Sequence, residues 1–206
     1  MNAGIALAMV LALLLLLGVA VFVGVVSFNA LVVQRQQVDK AWANIDVALR
    51  QRHDELPSLV DAVRGQMGFE QATLRRVTEA RAAWAPDAPI PAQASVSDET
   101  SRAVRGLFAT VERYPELHSD ANVMALQAEI ARLETVIADR RELYNDTVNR
   151  YNTRIGQVPW TFVASTLGWQ RRPFFHAEAG DEARPSVDLT GEGPDPGPDP
   201  GPTSGS

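Results

Sequence analysis

The sequence predicts an all-α fold. An N-terminal transmembrane helix runs continuously into an antiparallel four-helix bundle, and a disordered acidic C-terminal tail follows. Three observations predict it. One run, Ala3 to Val26, is apolar throughout. The segments after it space their apolar residues by three, four and seven, the repeat of a helix that buries one face. The last thirty or so residues lose nearly all apolar side chains and gain Pro, Gly and acids. The division implied is residues 1–28 as membrane anchor, 29–176 as helical bundle and 177–206 as tail.

At about 1.5 Å per residue, Ala3–Val26 is long enough for a hydrocarbon core of roughly 30 Å. Gly4, Gly18 and Gly24 are its only small breaks. A cleaved signal peptide is the rival reading, but its apolar region would be shorter and would follow a basic stretch. A retained anchor is therefore expected, with the lipid bilayer as partner of residues 3–26. Arg35 and Lys40 follow the run, then Arg50 and Arg52, and no base precedes it. The positive-inside rule then puts the N-terminus outside and the bundle in the cytoplasm.

From Phe28 no Gly or Pro intervenes until Pro57, so the anchor is expected to leave the membrane as an unbroken helix to about Arg52. Its stripe is Leu31, Val38, Ala41, Trp42, Ile45, Ala48 and Leu49, which makes Trp42 a core residue. Asp54 can cap a second helix with Pro57 in its first turn; a kink without a turn is the alternative. That second helix carries Leu56, Leu59, Val60, Val63, Met67, Leu74, Val77 and Trp84. Gly65 and Gly68 weaken it locally.

Three prolines within Pro86–Ala94 predict a stiff non-helical linker. Ser97, Asp98 and Glu99 then start a third helix, striped by Val104, Leu107, Phe108 and Val111, which stops before Pro115. Asp120 caps the longest helix, which ends at Gly156. Its stripe is Leu126, Ile130, Leu133, Ile137, Tyr144, Val148, Tyr151 and Ile155.

Charge and composition exclude several function classes. Of 19 bases and 25 acids, one base and seven acids lie from Glu178 onward, so the remainder is neutral. A neutral body without a basic stripe argues against nucleic-acid binding. With no Cys, disulfides, thiol catalysis and cysteine metal sites are excluded. His53, His118 and His176 show no convergent metal-ligand spacing, and no nucleophile elbow or phosphate-binding glycine loop occurs. No catalytic residue, cofactor or metal is expected.

Two stretches carry a family resemblance. FNALVVQRQQVDKAWANIDVALRQRHDELPSLV, from Phe28, resembles the leading motif of the LemA family. ERYPELHSDANVMALQAEIARLETVIADRRELYNDTVNRYN resembles its second half, with its YP, its long helix and its repeated Tyr-Asn. With PWTFVASTLGWQRRPFF the resemblance covers about Ala3 to Phe175, and Phe28 stands where that family commonly has Tyr. The resemblance implies a membrane-anchored all-α protein with no established enzymatic activity. The function expected is a non-catalytic scaffold or interaction module with a membrane or cytoplasmic protein partner. The alternative is a sensor that takes a small ligand or partner between its helices.

Two sets of residues are the candidates for such a role. Arg141, Asn145, Asn149 and Asn152 flank the stripe of the last helix, and Asp39 and Asp46 flank that of the first. Antiparallel packing would let them meet, either as a structural polar seam or as a partner groove, with Asp39 or Asp46 expected to pair with Arg141 or Asn145. The segment after Gly156, with Trp160, Trp169, Arg171 and Arg172, is expected either at the membrane interface or as a cap on the open end of the core.

Overall fold

The computed structural model describes residues 2–65 and 70–176. Among them are six helices and no strand: α1 (Asn2–Arg64), α2 (Gln71–Ala82), α3 (Ile90–Val111), α4 (Pro115–His118), α5 (Ala121–Ile155) and α6 (Trp160–Thr166). Met67 and Gly68 and the tail from residue 177 lie outside the described residues.

The first helix does not stop at Arg52. It runs on through Pro57 to Arg64. A proline within a helix leaves the carbonyl four residues earlier without its donor. Here that carbonyl belongs to His53, and Arg81 of α2 donates its Nε to it at 3.1 Å. A tertiary contact thus satisfies the acceptor that Pro57 frees, and the expected turn at Asp54 is not needed. The second helix is correspondingly short, 12 residues.

The Pro86–Ala94 linker is also partly helical. α3 begins at Ile90, with Pro91 in its first turn, where no N–H is required. Buried Gln93 donates to the carbonyls of Pro86 and Ala88 and so closes the remaining turn. Ser97, expected to open α3, lies two turns inside it and is buried. The boundaries of α5 follow the sequence: Asp120 accepts from the amides of Asn122 and Val123 at 2.9 Å, and Gly156 ends the helix.

Pairwise contacts define the directions. Trp42 meets Tyr144, and Arg52 meets Glu134, so α1 and α5 are antiparallel. Asp98 meets Arg141 and Ser101 meets Glu134, so α3 is antiparallel to α5. The arrangement is uneven. Far from the apolar run, α1, α2, α3 and α5 share one core of Leu59, Val63, Leu74, Val77, Leu107, Val111 and Ile130. Nearer to it, α1 and α5 share a second core of Leu31, Val38, Ile45, Tyr144, Val148 and Tyr151, completed by Ala94, Ala164 and Phe175. Each such buried aliphatic side chain contributes about 1.5–3 kcal/mol.

The apolar run stands apart from both cores. Leu7, Leu13, Leu15 and Phe22 are all exposed, with no protein packed on them. This helix is long and apolar enough to cross a membrane.

Candidate functional site

The repeated Tyr-Asn of α5 supplies the geometry around which the site is built. Tyr144-Asn145 and Tyr151-Asn152 lie seven residues apart, two helical turns, or about 10.5 Å along the axis. Residues 169–175 run alongside as an extended strap. Three residues of extended chain cover about 10 Å, close to the same step.

The bonds match that step. Asn152 accepts from the Arg172 amide at 2.8 Å and donates to the Arg172 carbonyl at 2.9 Å. Asn145 accepts from the Phe175 amide at 2.8 Å and donates to the Phe175 carbonyl at 3.3 Å. Each carboxamide thereby replaces a neighbouring β-strand, using one acceptor and one donor for one residue of backbone. The tyrosines repeat the pattern: the Tyr151 hydroxyl donates to the Gln170 carbonyl at 3.3 Å and Tyr144 to that of Pro173 at 2.8 Å. Arg141 adds its Nε to the Phe175 carbonyl at 2.9 Å.

A glycine aims the chain into this track. Gly168, at φ +66, follows the last turn of α6; its amide donates to Ser165 and the Trp169 amide to Ala164. That pair of bonds is the Schellman helix ending, and its left-handed position favours Gly. From there the strap crosses to α1. Trp169 packs on Phe28 under the Arg35 guanidinium, Arg172 pairs with Asp39 at 2.8 Å, and Phe175 lies against Trp42.

The expected seam is therefore assembled differently. Arg141 pairs with Asp98 at 2.6 Å, not with Asp39 or Asp46. Asp46 pairs with Arg50 one turn along its own helix. Asn145 and Asn152 bond the strap, and Asn149 faces solvent. Trp42 is half-buried rather than buried, because its outer face is covered by the strap and not by a helix.

The segment after Gly156 has two faces. Ala164 and Phe175 are buried, and Trp160 and Trp169 pack against the same core. Phe162, Val158 and Leu167 remain exposed. Arg171 is exposed and Arg172 half-buried in its pair with Asp39.

Sequence reasoning missed a second polar feature. Arg52 is 3% exposed, and its guanidinium meets Glu134 at 2.8 Å, Ser101 at 2.9 Å and the Ser97 hydroxyl at 3.0 Å. Beside it an open groove of about 790 Å3 runs between α3 and α5, past Arg105, Arg141, Glu142 and Asn145. His53 stacks on Trp84 at 4.6 Å and is held below its ordinary pKa, first by burial, then by Arg81, with Asp54 opposing. Among the described residues no group of three or more His, Cys, Asp or Glu is arranged to hold a metal ion.

The tyrosines titrate late. Burial pushes the Tyr144 hydroxyl up to about 12, with Arg172 opposing and Asp39 adding; burial also raises Tyr151, against Arg172 and Arg35. A tyrosine is neutral when protonated, so the folded state holds the proton more tightly than the unfolded one. Stability is complete below the ordinary value near 10 and is lost as pH rises towards about 12. Tyr144→Phe is expected to reduce that alkaline loss and to cost about 1 kcal/mol at neutral pH for the bond to Pro173. Melting midpoints of the two proteins between neutral pH and pH 12 check this; parallel curves would refute it.

Comparison with known proteins places these elements. The family model described as the LemA family matches residues 41–189. Magnetosome protein MamQ 2 of Paramagnetospirillum magneticum is 36% identical over 76 residues, 36% of this chain and 28% of that protein. Magnetosome protein MamQ of Magnetospirillum gryphiswaldense is 34% identical over a stretch of the same length, also 28% of its own. The match thus spans little more than a quarter of these magnetosome proteins. Protein LemA of Metamycoplasma hominis is 24% identical over 174 residues, 82% of this chain and 77% of that protein.

Proposed function

The chain belongs to the LemA family, and from that premise we propose that it is a single-pass membrane-anchored scaffold without catalytic activity, its helical body held next to the bilayer as an interaction module. The observation that carries this reading is where the polar seam goes. Tyr144, Asn145, Tyr151 and Asn152 all bond the chain's own strap. Groups committed to internal backbone are not free to bind a ligand, and they hold a rigid surface in shape. Unbroken passage of α1 from the bare apolar run into the core gives that surface a stiff connection to the membrane.

Photo-reactive residues at exposed positions of the body, in native membranes, test the reading. Discrete protein adducts at a contiguous face are expected. Their absence at every face, together with ligand-induced stabilisation of the purified chain by a small molecule, would overturn it. The groove between α3 and α5 favours that second reading, a small ligand or partner held between helices at Arg141 and Asn145. Its charges are largely matched internally, Arg141 by Asp98 and Arg52 by Glu134, which weighs for the scaffold.

The orientation proposed places the N-terminus outside and the body in the cytoplasm. Arg35 and Lys40 support it, and the fold adds Arg154 and Arg171 from the far end of the sequence to the membrane-facing end. The chain has no Cys, so a single cysteine at Ser186 is a clean reporter. It is expected to resist a membrane-impermeant maleimide in intact cells and to react after lysis. Labelling before lysis reverses the topology.

A further inference from the structure

Many of the arginines in this body are paired with carboxylates. Arg50, Arg52, Arg64, Arg75, Arg102, Arg113, Arg132, Arg141 and Arg150 each meet a carboxylate. Among the described residues Arg76, Arg81, Arg105 and Arg140 meet none, and neither do Arg35, Arg154 and Arg171, which gather at the end adjoining the apolar run. Arg35 and Arg154 instead lie over the rings of Trp169 and Trp160, at 5.2 and 5.0 Å.

Two of these cations, Arg35 and Arg171, share one concavity with Arg172. It has about 290 Å3 and is bounded by Arg35, Tyr151, Gly168, Trp169, Arg171 and Arg172. Asp39, bonded to Arg172, is the carboxylate beside it. Its level in the fold is set by Trp169, which packs on Phe28, two residues beyond Val26. Arg35 lies about 13 Å further along α1 than Val26, and helical side chains lean back towards the N-terminus. The concavity thus opens at the height of the headgroup layer. Beside it, Val158, Phe162 and Leu167 expose apolar surface, with Ser27 of α1 buried at the same end. Leu167 adjoins Gly168 at the rim of the concavity, and Phe162 belongs to α6, which packs on α1.

We propose that Arg35, Arg171 and Arg172 form a binding site for the phosphate of an anionic phospholipid headgroup, with Val158, Phe162 and Leu167 seated in the adjoining acyl layer. The chemistry fits: planar guanidinium groups match phosphate oxygens, and stacking on Trp169 holds Arg35 ready without a competing carboxylate. The apolar patch selects a lipid over a free anion, because soluble phosphate gives Phe162 and Leu167 no cover. The proposal rests on the membrane-anchored reading, so its test separates the two.

The full-length chain in mild detergent is titrated with dioctanoyl phosphatidylglycerol, dioctanoyl phosphatidylcholine or inorganic phosphate, following the melting midpoint. Phosphatidylglycerol is expected to raise it saturably, and the other two are not. Arg171→Gln and Arg35→Gln should each weaken the effect about ten-fold, the loss expected for one charge-assisted hydrogen bond. Because Arg171 is exposed, its variant should keep the lipid-free midpoint, and Arg171→Lys should recover part of the affinity. Equal shifts with phosphatidylcholine, or unchanged affinity in both Gln variants, would overturn the proposal. A shift of the same size with inorganic phosphate would leave an anion site and overturn its assignment to lipid. Alkaline carbonate extraction of native membranes reads the anchor alone: release of the protein would refute the membrane reading whatever the titration shows.

Discussion

Replacing Glu134 by Ala is expected to lower the stability of the helical body by about 3 kcal/mol, out of proportion to the burial of the carboxylate itself. Glu134 is a quarter exposed, whereas the Arg52 side chain it neutralises is 4% exposed. Removing the partner leaves a guanidinium out of water with the hydroxyls of Ser97 and Ser101 and the Ser97 carbonyl, none of which carries a charge. An uncompensated buried charge typically costs about 3–5 kcal/mol; the two serines place this case at the lower end. Arg52→Met removes the charge and keeps an unbranched apolar side chain at the same position, so it is expected to cost less than Glu134→Ala. Chemical denaturation of the wild-type and the two variants gives the ordering. If Arg52→Met is the more damaging change, the pair contributes attraction rather than mere neutralisation, and the account is wrong.

The second large effect belongs to Phe175. Its ring is fully buried, lies 5.8 Å from that of Trp42 and has the Arg141 guanidinium above it at 5.5 Å. Phe175→Ala is expected to cost about 3–5 kcal/mol at the strap, the range for an aromatic side chain deleted from a core. The strap forms no helix and is held by side chains of α1 and α5, so the loss takes the form of local opening before it reaches the whole body. The amides of Arg172 and Phe175, bonded to Asn152 and Asn145, report that opening through hydrogen exchange. Both should lose protection while amides in the middle of α5 keep theirs. Phe174→Ala, at the half-buried neighbour, should do much less. Unchanged protection in the Phe175 variant would mean that the asparagines hold the strap without its anchor ring.

The elements themselves were legible because their causes are local. A run of apolar residues, steps of three and four, an Asp before α5 and a Gly after it each act within a few residues. The family resemblance was legible for the same reason, and the match over residues 41–189 bears it out. Even the strap left a trace: Tyr-Asn repeated after seven residues is a two-turn step that one extended chain can follow. So did the buried charge. Leu31, Val38, Ile45, Arg52 and Leu59 are spaced by seven, and a cation on that stripe asks for an internal partner.

What the sequence by itself determined, then, is the helical class, the apolar run and the face that each helix buries. Only the tertiary structure decided three further matters. α1 survives Pro57 because Arg81, 24 residues later in the chain, reaches the carbonyl that the proline leaves free. Arg141 faces Asp98 of α3, and Asp39 faces Arg172 of the strap, because polar residues beside a stripe pair with whichever element fills the adjacent groove. That filler changes along the body: α3 occupies the groove between α1 and α5 at one end, and the returning strap covers it at the other. Periodicity in one helix specifies that a face must be covered; it carries no information about which distant segment covers it.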